Sequence, residues 1–159
     1  MKGLWVILVL LWSSTLLGQT PAEQKDYPGP FPVKGPIFNS EGQQIAEAHV
    51  YPRFVEIHQL GKGKIGRVGV MPEQGWSKIF IMREKNELQL VGHAFEGQIF
   101  NEKKEVIGRY FWTPTYSYAY DLDGKRVGST KCIAWPRVCS VGVAGFLLGL
   151  LEPPKEPAL

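Results

Sequence analysis

The stretch Gly61-Lys62-Gly63-Lys64-Ile65-Gly66, GKGKIG, carries the G-x-G-x-x-G spacing of a dinucleotide-binding loop. Such a loop needs a strand before it and a helix after it, with the helix N-terminus facing the pyrophosphate. Here the next residues are RVGVMPEQGW, and Gly69, Pro72 and Gly75 leave no room for a helix to start. Glu84 and Glu87 stand near the distance of a ribose-binding acid, but acids are frequent along this chain. No cofactor is expected at these glycines. They mark a place that recurs.

The recurrence shows when the chain is aligned on a small residue that follows an aliphatic one. IFNSEGQQIAE centres on Ile45-Ala46, EIHQLGKGKIGR on Ile65-Gly66, QIFNEKKEVIGR on Ile107-Gly108 and YAYDLDGKRVGS on Val127-Gly128. Eight residues before each small residue stands Phe38, His58, Phe100 or Tyr120. Between them lies a polar turn: SEGQ, LGKG, EKKE or LDGK. A further unit, FIMREKNELQLVGH, ends on Val91-Gly92 and has a longer middle around EKNE. Within the units Tyr116, Tyr118 and Tyr120 alternate with Ser117, Ala119 and Asp121, and Leu88 alternates with Leu90. Period two means strand, and two short strands across a Gly-containing turn make a hairpin.

Gly is 18 and Pro 12 of 159 residues, so few windows suit a helix of ten residues or so. The best helical candidate, Ser77 to Leu90, places its apolar residues on no single face and reads as a hairpin. The expected fold is all-β: about five β-hairpin repeats around a central axis, each burying one face against its neighbours.

These units resemble those of the β-flower proteins, small bacterial domains of four-fold or five-fold form. Their units run hydrophobic-Asp/Asn-x-x-Gly-x-x-hydrophobic-Gly, and the matching text is IFNSEGQQIA, GKGKIG, IFNEKKEVIG and YAYDLDGKRVG. The small residues are spaced 20, 26, 16 and 20 apart. The resemblance implies a ring of hairpins and a hydrophobic closing segment, for which VGVAGFLLGLL, Val141 to Leu151, is the match. It assigns no activity and no catalytic residue. That segment is also too short for a spanning helix of about 20 residues. It is expected to pack into the axis or base of the domain and complete its core.

The ends frame this domain. MKGLWVILVLLWSSTLLG has the charged start and short apolar run of a signal peptide over residues 1–18, so the protein is expected to be secreted or periplasmic. No transmembrane anchor is expected after cleavage. Residues 19–36 are a Pro-rich linker, 37–151 the repeat domain and 152–159 a Pro-rich tail. Without Lys2 the chain has 17 basic residues against 15 acidic ones, too little charge to argue for nucleic acid.

Candidate sites are few. His49, His58 and His93 form no H-x-x-x-H pair and have no cysteine nearby, so a metal site would need separate units to converge; none is expected, and His58 reads as packing. No nucleophile elbow or metalloprotease motif occurs. The carboxylates Glu41, Glu84, Glu87, Glu102, Glu105, Asp121 and Asp123 fall in turns. Arg109 to Asp121, RYFWTPTYSYAYD, reads mainly as strand core around a stiff Pro114 turn, with the loop Phe111 to Thr115 exposed. Phe111, Trp112 and Tyr116 are the candidate binding surface, because aromatics stack on sugar faces and anchor protein partners. Cys132 and Cys139 flank IAWPRV and are expected to bridge across a short hairpin turning at Trp135-Pro136. The expected function is a non-catalytic exported module that binds or scaffolds at the cell envelope, with a glycan or an envelope protein as partner. Carbohydrate binding through Tyr110 to Tyr120 and a small hydrolase with convergent carboxylates are the alternatives.

Overall fold

The computed structural model describes residues 29–73, 76–82 and 87–151. The segment 1–18 expected to be a signal peptide, the start of the expected linker and the tail 152–159 lie outside the described residues. Ten strands follow in order: β1 (Val33–Asn39), β2 (Gln44–Val50), β3 (Phe54–Gln59), β4 (Gly63–Glu73), β5 (Trp76–Met82), β6 (Leu88–Phe95), β7 (Gln98–Asn101), β8 (Val106–Trp112), β9 (Tyr116–Tyr120) and β10 (Arg126–Lys131). Among the described residues one helix, α1 (Pro136–Leu147), follows the strands. Each strand pairs antiparallel with its neighbours in sequence, and β10 closes on β1 to complete a barrel. The barrel begins at Val33, inside the stretch assigned to the linker. Gly35 shows why these residues belong to the wall: a Cβ there would stand 2.3 Å from the Lys131 carbonyl oxygen on β10.

The turns follow from local chemistry. Asn39 Oδ1 accepts from the backbone N–H of Glu41 and Gln43, and Asn101 and Asp121 accept likewise from Glu105 and Lys125. Gly42, Lys104 and Gly124 then take a positive φ, closing three-residue hairpin loops. In GKGKIG, Gly61 in the β3–β4 turn and Gly63 at the start of β4 have φ of 77° and 76°, and β4 continues where a dinucleotide loop would need a helix. Ser77 to Leu90 is split between β5 and β6, as its lack of a helical face implies.

The register breaks at one place in five strand pairs. Ile37 opposes Ala46, Ile57 opposes Gly66, Ile79 opposes Gly92, Ile99 opposes Gly108 and Ala119 opposes Gly128, with a bulge directly beside each pair. The extra residue is the aliphatic one of each unit: Ile45, Ile65, Val91, Ile107 or Val127. Bulges sharpen bending and twist, which a closed wall requires.

A ten-stranded barrel is wider than the eight-stranded kind whose own side chains fill it. Many inward positions here are small: Ala46, Ala48, Ser77, Gly92, Ala94, Gly108, Ser117, Ala119 and Gly128. The space goes to α1, which packs against the strands around the ring. Val138 to Gly145 are buried on every side of the helix. Such all-round apolarity is expected of a helix enclosed by protein. The closing segment therefore does pack into the axis, but as a helix.

Pro136 opens α1 at its N-terminus, and Gly149, at φ 84°, closes it. The Leu150 N–H donates to the Gly145 carbonyl at 2.8 Å and the Gly149 N–H to Phe146 at 3.0 Å, the paired bonds of a Schellman cap. Around this cap the leucines meet the wall glycines. A Cβ on Gly66 would touch Leu151 at 3.6 Å, on Gly92 Leu150 at 2.9 Å, on Gly108 Leu148 at 2.6 Å and on Gly128 Leu147 at 2.8 Å.

Cys132 and Cys139 form a disulfide, Cα to Cα 5.9 Å. It does not span a hairpin: Cys132 follows β10 and Cys139 lies in the first turns of α1. Trp135, in the left-handed region at φ 41°, makes the corner. The bridge ties the plug to the wall. Among the described residues no helix is long and apolar enough to cross a membrane.

Candidate functional site

Up-and-down topology sorts the connections onto two ends. The turns after β1, β3, β5, β7 and β9 share one end with the helix C-terminus. The links after β2, β4, β6 and β8 share the other with the helix N-terminus.

At the helix-entry end the aromatic stretch divides. Tyr110 packs against the core, where burial pushes its phenol pKa up. Phe111, Trp112 and Tyr116 are exposed by 60, 44 and 41%. Phe111 opposes Tyr118 across the β8–β9 pair, and Tyr116 stacks on Tyr118 with centroids 6.4 Å apart. Phe111 and Trp112 still belong to β8, so only Thr113 to Thr115 form the loop. The Thr113 N–H donates to the Tyr116 carbonyl at 2.8 Å, and the Tyr116 N–H to Thr113 Oγ1 at 3.0 Å. The Cys132 N–H donates to the Thr115 carbonyl at 2.8 Å. These bonds hold the aromatic edge to the segment that carries the disulfide.

Other exposed apolar residues lie at the same end. Trp76 stacks on Phe95 at 4.4 Å, Phe31 lies against Trp135 at 5.0 Å, and Ile133 is exposed beside Cys132.

A second constellation lies on the outer wall. Along β2, Glu47 and His49 alternate with the buried Ala46, Ala48 and Val50; along β3, Glu56 and His58 alternate with Val55 and Ile57. Glu47 opposes His58 and His49 opposes Glu56, so four polar residues form a square. The two imidazoles stack with centroids 3.8 Å apart. His49 Nε2 lies 2.5 Å from Glu47 Oε1, which also meets Lys34 at 3.7 Å.

Glu56 is only 8% exposed. Its Oε1 accepts from Arg67 Nη2 at 2.5 Å and Nε at 3.1 Å, and Lys64 stands 3.5 Å away. The Arg67 guanidinium carbon sits 4.4 Å above the Phe54 ring. Burial works against the Glu56 charge, but the Arg67 bond, with Lys64 and His58, outweighs it and holds the carboxyl below its ordinary range. Glu47 is held low chiefly by its bond to His49. Glu56 Oε2 faces His58 Nε2 at 3.5 Å, and that nitrogen is buried without a hydrogen-bond partner.

The sequence reading singled out acids in turns and missed Glu47 and Glu56, which lie on strands. The signal was present as E-x-H in both AEAHV and VEIHQ. His93 stands apart, edge-on to Trp76 at 6.2 Å, and burial, aided by Lys104 and Lys78, pushes its pKa down.

Comparison with protein-family models, with curated proteins and with solved structures finds no match to this chain.

Proposed function

We propose that this chain is an exported, non-catalytic module of five hairpin units, of β-flower type, that binds a component of the cell envelope through its helix-entry end. The observation that carries the reading is the exposed edge of Phe111, Trp112 and Tyr116, held by the Thr113 turn and the strand beside the disulfide. Large aromatics on a pre-set backbone lose little conformational freedom on binding. The disulfide suits an oxidising compartment and so supports export. The five matching bulges support the repeat.

Carbohydrate rings are the ligand whose chemistry fits best, since their C–H faces stack on exposed aromatic rings. The hydrolase alternative is less well supported. Glu47 and Glu56 are both held below their ordinary range, whereas a glycosidase acid must be raised to keep its proton.

The test is tryptophan fluorescence of the purified protein titrated with envelope polysaccharide fragments. A saturable change that disappears in Trp112→Ala and Tyr116→Ala supports the reading. A flat response across the panel removes the carbohydrate assignment, and recovery of the full-length chain from the cytosol alone removes export.

A further inference from the structure

We propose that His49, His58 and Glu56 bind a divalent transition metal of borderline softness, Zn²⁺ or a close neighbour, on the outer wall of the barrel. One donor atom from each residue lies within 4.8 Å of the other two. Two imidazoles and a carboxylate are the donor set such a metal takes, at about 2.0–2.2 Å per bond. In a tetrahedral site those bonds place donors roughly 3.4 Å apart, so the widest pair has to close by no more than about 1.4 Å from its present limit, and the imidazoles, now stacked with centroids 3.8 Å apart, have to turn so that both lone pairs meet at the ion.

The details favour a metal over a purely structural ion-pair lattice. Arg67 Nε and Nη2 and Lys64 Nζ meet Glu56 at Oε1, while Oε2 is turned toward His58. The cations thus hold Glu56 ionised and oriented from one side. His58 Nε2 is buried, and its contact with Glu56 Oε2 at 3.5 Å stands at the outer limit of a hydrogen bond, which leaves that nitrogen poorly satisfied. His49 carries Glu47 on its ring, the carboxylate–imidazole contact that orients a ligating histidine. Both strands are central in the wall, so the backbone positions of all three residues are fixed by paired neighbours. Three protein donors leave a position for water, which matches an outward-facing site.

The experiment uses the untagged full chain, stripped with chelator, and titrates Zn²⁺, Ni²⁺ and Mg²⁺ by calorimetry at pH 7.5 with thermal melts in parallel. Zn²⁺ or Ni²⁺ should bind at one equivalent and raise the thermal midpoint, while Mg²⁺, which prefers an all-oxygen shell, should not. Affinity should fall by at least ~10-fold in His58→Ala and in His49→Ala. His93→Gln should bind as the parent does. Circular dichroism checks that each variant is folded. Should a histidine variant fail to fold, Glu56→Gln, which keeps the shape and removes the charge, should show the same weakening. No saturable binding of Zn²⁺ or Ni²⁺, or binding equal in the parent and the folded His58→Ala and Glu56→Gln variants, overturns the proposal.

Discussion

Leu148 fills the space that a side chain on Gly108 would need: a Cβ there would stand 2.6 Å from Leu148 Cδ2 and 2.6 Å from the Tyr120 carbonyl oxygen. Gly92 and Gly128 are similarly closed, by Phe100 and Phe38 carbonyl oxygens at 2.3 and 2.4 Å. Among the described residues a Cβ on Gly66 would meet Leu151 alone, at an ordinary 3.6 Å, and the matching place in the first unit is already an alanine, Ala46. Gly92→Ala, Gly108→Ala and Gly128→Ala should therefore each destabilise by about 1–3 kcal/mol, as overpacking does, while Gly66→Ala should stay near neutral. Denaturant titration of the four variants checks the ranking; equal effects at all four positions would contradict it.

Removing the plug should be worse than any point change. Truncation after Ser140 deletes Val141, Val143 and Ala144 from the barrel axis and all the leucines of the cap. Each large apolar side chain so lost contributed on the order of 1.5–3 kcal/mol. The wall cannot close over the vacated volume without breaking its strand register. The expected product is insoluble or unfolded, and a soluble truncated chain with an unchanged thermal midpoint would show that α1 is dispensable.

Reduction of Cys132–Cys139 should lower stability modestly. The sequence separation is 7, and closing so short a loop is worth about 2–3 kcal/mol in the chain-entropy model. The bridge also fixes where α1 enters, so reduction should loosen the helix and the neighbouring aromatic edge first. Thermal melts with and without reductant test the magnitude. Hydrogen exchange tests the location, and protection lost evenly around the barrel would refute it.

Acid should destabilise the fold in two stages. His93 has a folded pKa below the ordinary imidazole value of 6.5, chiefly because burial disfavours its charged form. The unfolded chain then takes up a proton first, so stability is full above about pH 6.5 and declines from there toward the lower folded value. Glu47 and Glu56, both lowered from 4.5, contribute stability above that value that is lost as pH falls through their folded pKa values. Melts from pH 8 to 3 should show both declines. His93→Gln should flatten the upper one and Glu56→Gln should weaken the lower one; an upper decline unchanged in His93→Gln would place its cause elsewhere.

Much of the wall could be read from local residues. Alternation around Tyr116 to Tyr120 and the Asn39, Asn101 and Asp121 turns specify strands and loops through contacts a few residues long, so the chain text contains them. The small residues at 46, 66, 92, 108 and 128 could be seen as a recurrence, but not as seats for leucines far along the chain. The helix was missed for a related reason. Its glycines and valines are poor helix formers in water, and only enclosure by the barrel makes them favourable. Pro136 and Gly149 were the sequence signals for its two ends.

The sequence by itself determined the β character, the hairpin turns at Asn39, Asn101 and Asp121 and the pairing of the two cysteines. Each depends on side-chain period, on φ preference or on closeness along the chain. The tertiary structure alone decided that the ring closes at ten strands, that a helix fills it, and that His49 and His58 stack beside Glu56. Those outcomes depend on cross-strand register, set jointly by turn geometry and bulges, and a slip of one residue in β2 or β3 would turn that strand's histidine inward.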